Sequence, residues 1–70
     1  MERIIIDKNI CDGKPTIKGT RIMVENILSL VAGGYDTKMI LKYYPKLSEA
    51  DVKAAVEYAI ESVQEEVPLP

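Results

Sequence analysis

The sequence predicts a mainly α domain, a compact three-helix unit with a short β-hairpin at its N-terminal side. Three observations predict it. The chain has 70 residues, room for one small domain. An isoleucine run followed by residues punctuated by Gly and Pro fills its first third. From Val24 onward the apolar residues recur at helical spacing, interrupted at Gly33–Gly34 and at Pro45. With 47% apolar and 29% charged residues, four Gly and four Pro, the composition is neither that of a disordered chain nor that of a collagen. The single domain, 1–70, divides into a hairpin part, 1–24, and a trihelical part, 24–67. A chain this short buries only about 60% of the surface its unfolded form exposes, so its core is thin and a partner subunit would thicken it.

Arg3 to Asp7 carries three consecutive isoleucines and reads as a strand. Asp7 to Thr20 holds Asn9, Asp12, Gly13, Pro15 and Gly19, turn-forming residues around a short extended piece at Thr16 and Ile17. Arg21 to Val24 is expected to pair back with the isoleucine strand. A two-stranded hairpin is marginal in water and has to lie on helices or on a second copy, which points to a homodimer. Val24, Ile27, Leu28 and Val31 then mark one face of a first helix, ended by the glycine pair. Asp36 and Thr37 supply capping oxygens for a short second helix with Ile40, Tyr43 and Tyr44 on one face, stopped at Tyr44 by Pro45. Ser48 with Asp51 resembles a capping box and opens the longest helix. Its stripe is Val52, Ala55, Val56, Ala59, Ile60, Val63 and Val67, and Pro68 and Pro70 close the chain. Tyr35, Tyr43, Tyr44 and Tyr58 are expected to be semi-buried with their hydroxyls at the rim. Three helices on short connectors are also the architecture of helix-turn-helix and homeodomain-like units. There, apolar residues placed like Ile40, Leu41, Leu47, Val52 and Val56 hold two helices at a steep angle.

The chain has no histidine, and Cys11 is its only cysteine. Ser-His-Asp and Cys-His catalysis, zinc sites of the Cys/His type and an internal disulfide are therefore excluded. No cofactor is expected. The isoleucine run is too short for a signal peptide or a membrane span, so the expectation is a cytoplasmic protein without membrane contact. The net charge of −2 hides an asymmetry: residues 1–46 carry eight Lys or Arg against five Asp or Glu, whereas residues 47–70 carry one against six. That is +3 followed by −5. Opposite ends of the molecule can thus present opposite signs to different partners.

Two groups of cations are candidates for contact with nucleic acid. Lys14, Lys18 and Arg21 lie in the stretch from Ile10 to Ile22, where they could donate to a phosphate backbone with Thr16 and Thr20 adding hydroxyls. The plainer reading gives the glycines there a purely conformational role, the lysines to solvent, and Arg21 to a nearby carboxylate. Lys38, Lys42 and Lys46 are spaced by four and form a basic stripe along helix two and past Pro45. It is either solvated or tracks a phosphate backbone in a salt-dependent way. The third helix is a poor reader of bases, because Glu49 and Asp51 open it and Lys53 is its one cation near that end. Both acids suit the positive end of their own helix. Further along, Glu57, Glu61, Glu65 and Glu66 are either a solvated face or a surface for a basic protein partner.

The block G-K-P-T-I-K-G-T-R-I at Gly13–Ile22, A-G-G-Y at Ala32–Tyr35, Y-P-K-L-S at Tyr44–Ser48 and A-A-V-E-Y-A at Ala54–Ala59 together resemble the domain of unknown function 433 family, small proteins regarded as VapB-type antitoxins. The resemblance runs over nearly the whole chain. It implies a helix-turn-helix-like fold, often encoded beside a PIN-like ribonuclease toxin that the antitoxin blocks while repressing its own operon. Lys8 stands where that family commonly has proline, Asp12 where it has a second glycine, and Met23 where proline is frequent. These departures bear on the loop and leave the helices untouched.

The expected function is accordingly that of a non-enzymatic, dimeric antitoxin of a type II toxin-antitoxin system. It would bind a PIN-like ribonuclease through Glu57, Glu61 and Glu65 and operator DNA through its lysines and Arg21. One alternative is a protein-interaction module of the same fold without DNA binding. Another is a magnesium-dependent nuclease built on Asp7, Asp12 and Glu25, whose spacing gives no reason for them to converge.

Overall fold

A computed structural model describes residues 3–66, with the side chains of Glu65 and Glu66 outside that description. Two strands, β1 (Ile4–Ile5) and β2 (Thr16–Ile17), precede three helices, α1 (Val24–Ala32), α2 (Thr37–Tyr43) and α3 (Glu49–Glu66). A mainly α domain with a short N-terminal antiparallel hairpin is the fold the sequence predicts. The seventh residue of the expected α3 stripe, Val67, and the closing Pro68 and Pro70 lie outside the described residues.

The hairpin pairs differently from expectation. Ile4 lies opposite Ile17 and Ile5 opposite Thr16, so Thr16–Ile17, and not Arg21–Val24, is the partner of the isoleucine strand. The cause is a tight turn over Ile17–Thr20, in which Thr20 donates its N–H to the Ile17 carbonyl at 3.0 Å and Gly19 takes φ +82°. That turn sends the chain back along the other edge of Thr16. There Ile17 donates to Ile22, Val24 donates to Pro15, and Met23 faces Thr16 in an isolated bridge. Thr16–Ile17 is therefore central, buried on both sides, and its Thr16 hydroxyl reaches the Ile5 carbonyl at 3.5 Å. The strand also ends sooner than its isoleucines suggest. Ile6 is 63% exposed, because only the residues opposite Thr16 and Ile17 are covered.

The helices follow their start and stop signals. Ser29, Leu30 and Val31 carbonyls at the end of α1 accept from Gly33, Tyr35 and Gly34, with Gly34 at φ +92°, the left-handed closure that needs a glycine. Asp36 caps α2 by accepting from the Met39 N–H at 2.9 Å. At α3 the reciprocal box is complete: Asp51 donates its N–H to the Ser48 hydroxyl at 3.2 Å, and its carboxylate accepts from the Ser48 N–H at 3.0 Å. The core is Ile4, Ile17, Val24, Ile27, Ile40, Leu47, Val52, Ala54 and Ala55, with Leu41, Tyr44 and Tyr58 packed against it. It sits where the hairpin, α1 and α2 all meet the first half of α3.

The predicted stripes are only partly used. Val31 is exposed on α1, and half-buried Leu30 turns toward the core in its place. Tyr43 is 59% exposed and Tyr35 also lies at the surface, where their rings meet edge-on at 6.4 Å. Tyr44 and Tyr58 are half-buried, as expected. On α3, Ile60 and Val63 are 51% and 58% exposed. The reason is length: at 1.5 Å per residue α3 runs to roughly 27 Å, about twice α1, so α1 covers only one side of its second half, at Tyr58, Ala59 and Ser62, and leaves Ile60 and much of Val63 open.

Candidate functional site

The expected cations separate into paired and unpaired groups. Lys14 is held by Glu25 at 3.1 Å across two exposed side chains, so its charge is answered within the chain. Arg3, which the sequence does not single out, donates to Asp51 at 3.0 Å and ties the start of β1 to the first turn of α3. Partial burial pushes the Asp51 carboxyl up. The Ser48 N–H, the Arg3 guanidinium and the Ser48 hydroxyl pull it down further and leave it below its ordinary 3.8. No local pattern could announce this pair, because its members are 48 positions apart. Among the described residues no carboxylate pairs with Lys18, Arg21, Lys38, Lys42 or Lys46.

Two of those unpaired cations share a depression. Arg21, from the loop after the Ile17–Thr20 turn, and Lys46, from the turn between α2 and α3, line one open hollow with Ile10, Gly19 and Thr20. The backbone around each is fixed. Ile22 donates its N–H to the Thr20 hydroxyl at 3.0 Å, that hydroxyl donates to the Ile17 carbonyl at 2.8 Å, and the Cys11 thiol approaches the Arg21 carbonyl at 3.5 Å. Around Lys46, Leu47 donates to the Tyr44 carbonyl at 3.0 Å, and its buried side chain anchors the turn. Lys38 and Lys42 are exposed on α2 one helical turn apart, outside that hollow, and Lys18 is exposed within the Ile17–Thr20 turn. Of the six expected nucleic-acid residues, Arg21 and Lys46 line this hollow, and Lys14, Lys18, Lys38 and Lys42 do not.

The other surface is apolar with acidic neighbours. Val56, Ala59, Ile60, Val63 and Gln64 line a shallow depression on α3, and Ala59 and Val63 continue into a groove against Leu28 of α1. Glu57 and Glu61 are exposed on the same helix and form no ion pair among the described residues. The Glu65 side chain lies outside the described residues. Asp7, Asp12 and Glu25 are not gathered: Asp7 accepts from the Asn9 N–H, Glu25 holds Lys14, and the described residues contain no cluster of three potential ligands for a metal ion. No described helix is long and apolar enough to cross a membrane.

A hairpin-capped trihelical domain with a cationic hollow on one part and an acid-flanked apolar strip on another defines a small mainly α domain whose described surface offers sites of contact. The chain belongs to the family described as protein of unknown function (DUF433), whose model matches residues 4–59. The match begins at β1 and stops at Ala59, so Ile60, Glu61 and Val63 lie beyond it. No curated protein and no solved structure matches the chain significantly.

Proposed function

We propose that this protein is a non-enzymatic binding protein, the antitoxin of a type II toxin-antitoxin pair. It acts as a homodimer that covers a PIN-like ribonuclease toxin with the far half of α3 and takes operator DNA on its basic part as an autorepressor of helix-turn-helix type. The observation that carries the reading is the state of α3. Ile60 and Val63 stand about half or more exposed on a thin domain that has little apolar surface to spare, with Glu57 and Glu61 beside them. Apolar side chains rimmed by carboxylates fit a protein partner that is apolar at its centre and basic at its edge, which a groove built to hold RNA would be.

The reading requires a PIN-like ribonuclease gene beside this chain's own, whose absence would count against it, and the test is inhibition of that enzyme. Stoichiometric protein is expected to suppress RNA cleavage. Replacing Ile60 and Val63 together by Asp is expected to raise the concentration needed by about tenfold or more, the loss of a central apolar contact. Undiminished cleavage in the presence of excess folded protein would overturn the antitoxin reading.

One observation favours a second reading, a protein-interaction module with the same fold and no affinity for DNA. The first turn of α3 offers exposed Glu49, while Asp51 is consumed by the cap and by Arg3. A helix that begins this way enters a groove against phosphate repulsion. Absence of duplex binding at low salt, with toxin inhibition retained, selects this reading.

A further inference from the structure

We propose that the hollow between the Ile17–Thr20 turn and the α2–α3 turn is an anion site that takes a backbone phosphate of a nucleic acid, with Arg21 and Lys46 as its two cations. The inference rests on the DNA-binding part of the function proposed above and moves the contact away from the first turn of α3. Three features argue for it. Two cations from separate chain segments line one depression without a carboxylate partner among the described residues, whereas Arg3 and Lys14 both have one. Two like charges facing one depression repel to the extent that solvent and salt leave them unscreened, and a phosphate between them turns that cost into attraction.

The second feature is the backbone. The N–H groups of Gly19 and Arg21, two residues lining the hollow, donate to no acceptor among the described residues, while those of Thr20 and Ile22 are both engaged. Free donors beside cations are what an oxyanion with several lone pairs requires. The third is rigidity. Arg21 follows a turn locked by the Thr20 hydroxyl, and Lys46 precedes a buried anchor, so little backbone ordering is left to be lost on binding. Lys18, inside the same turn, adds positive potential without lining the hollow.

The experiment is fluorescence anisotropy of a labelled operator-length duplex with the full chain across a range of potassium chloride concentrations. The wild type is compared with Arg21→Gln, Lys46→Gln, the double variant and Lys53→Gln. Each hollow variant is expected to lower the slope of log affinity against log salt by about one, and the double variant by about two, with affinity near 0.15 M salt falling roughly tenfold or more. Lys53→Gln, which removes an α3 cation that lines a different depression, beside Thr37 and Glu49, is expected to leave the slope near that of the wild type. A double variant with the wild-type slope overturns the site while leaving DNA binding intact. Failure of the wild type to bind duplex even at low salt overturns both. Circular dichroism of each variant checks folding. Should the double variant unfold, the slopes of the two single variants decide, since either one unchanged removes its residue from the site.

Discussion

At the scale of single residues, the most informative group is Asp51, which serves two structures at once. It closes the capping box of α3 with Ser48 and receives Arg3, the residue just before β1, so one carboxylate ties the entry to the first strand to the last helix. Asp51→Ala is expected to cost about 1–2 kcal/mol, nearly all of it from the lost cap. Arg3 is about half exposed, and a pair so wet adds at most about 1 kcal/mol. The pH dependence follows from the lowered pKa. A carboxyl depressed in the folded state contributes stability that is present above its unfolded value, near 3.8, and that is lost as pH falls through the lower folded value. Urea midpoints of wild type and Asp51→Asn should therefore differ at pH 6 and draw together toward pH 2. A constant difference over that range would show that Asp51 is not held as described. Backbone tolerance also acts at this scale. Asp12 takes φ +57° at the position where the family commonly has a second glycine, and Asp is among the side chains that accept the left-handed region best. Met23, in a position where proline is frequent, sits at φ −79° and donates no backbone hydrogen bond within the described residues, so a proline fits there without loss of a bond.

At the scale of elements, α3 packs as two different segments. Its first half buries Val52, Ala54 and Ala55 against the hairpin and the other helices, while its second half carries Ile60 and Val63 in the open. Amide hydrogens of residues 60–64 are expected to exchange faster than those of 52–56 in the free protein, and to slow when the ribonuclease proposed as partner is added. Equal protection of the two halves in the free protein would remove the case for an uncovered segment. The same helix shows what was legible in the sequence. Its start was, because Ser48 and Asp51 make a local signal that needs nothing else to be satisfied. So were the end of α1 at the glycine pair and the cap of α2 at Asp36. The fate of its apolar stripe was not, since periodicity tells which residues share a face and says nothing of how far the neighbouring elements extend beneath it. Strand pairing failed for a related reason. Both Thr16–Ile17 and Arg21–Val24 are β-compatible, and the choice between them depended on Gly19 reversing the chain at once, which placed the earlier segment in the middle. The charged candidate site residues are exposed where side chains are described, as their charges demand, whereas Thr16 is buried and the Thr16 and Thr20 hydroxyls are spent on the Ile5 and Ile17 carbonyls; the sharing of one hollow by Arg21 and Lys46 and the pairing of Lys14 with Glu25 are tertiary facts.

At the scale of the whole molecule, the two charge signs are joined as well as divided. The basic first part and acidic second part meet through Arg3 and Asp51, while the unpaired cations and the exposed Glu57 and Glu61 form no ion pair among the described residues. Stability and contact are thereby assigned to different residues: the core lies under the first half of α3, and the candidate surfaces lie away from it. A domain of this size has roughly 3.5–10 kcal/mol in total, by the usual stability per residue. Ile27, fully buried on α1, is at the centre of that core. Ile27→Ala leaves a cavity and is expected to cost about 2–5 kcal/mol, enough to unfold much of the population at the lower end of the stability range. Ile60→Ala, by contrast, removes a side chain that is half in water already, and is expected to change stability by less than about 1 kcal/mol. Urea unfolding of the two variants side by side measures both values. If Ile60→Ala proved as costly as Ile27→Ala, the far half of α3 would belong to the core, and the surface proposed for the partner would be part of what holds the domain together.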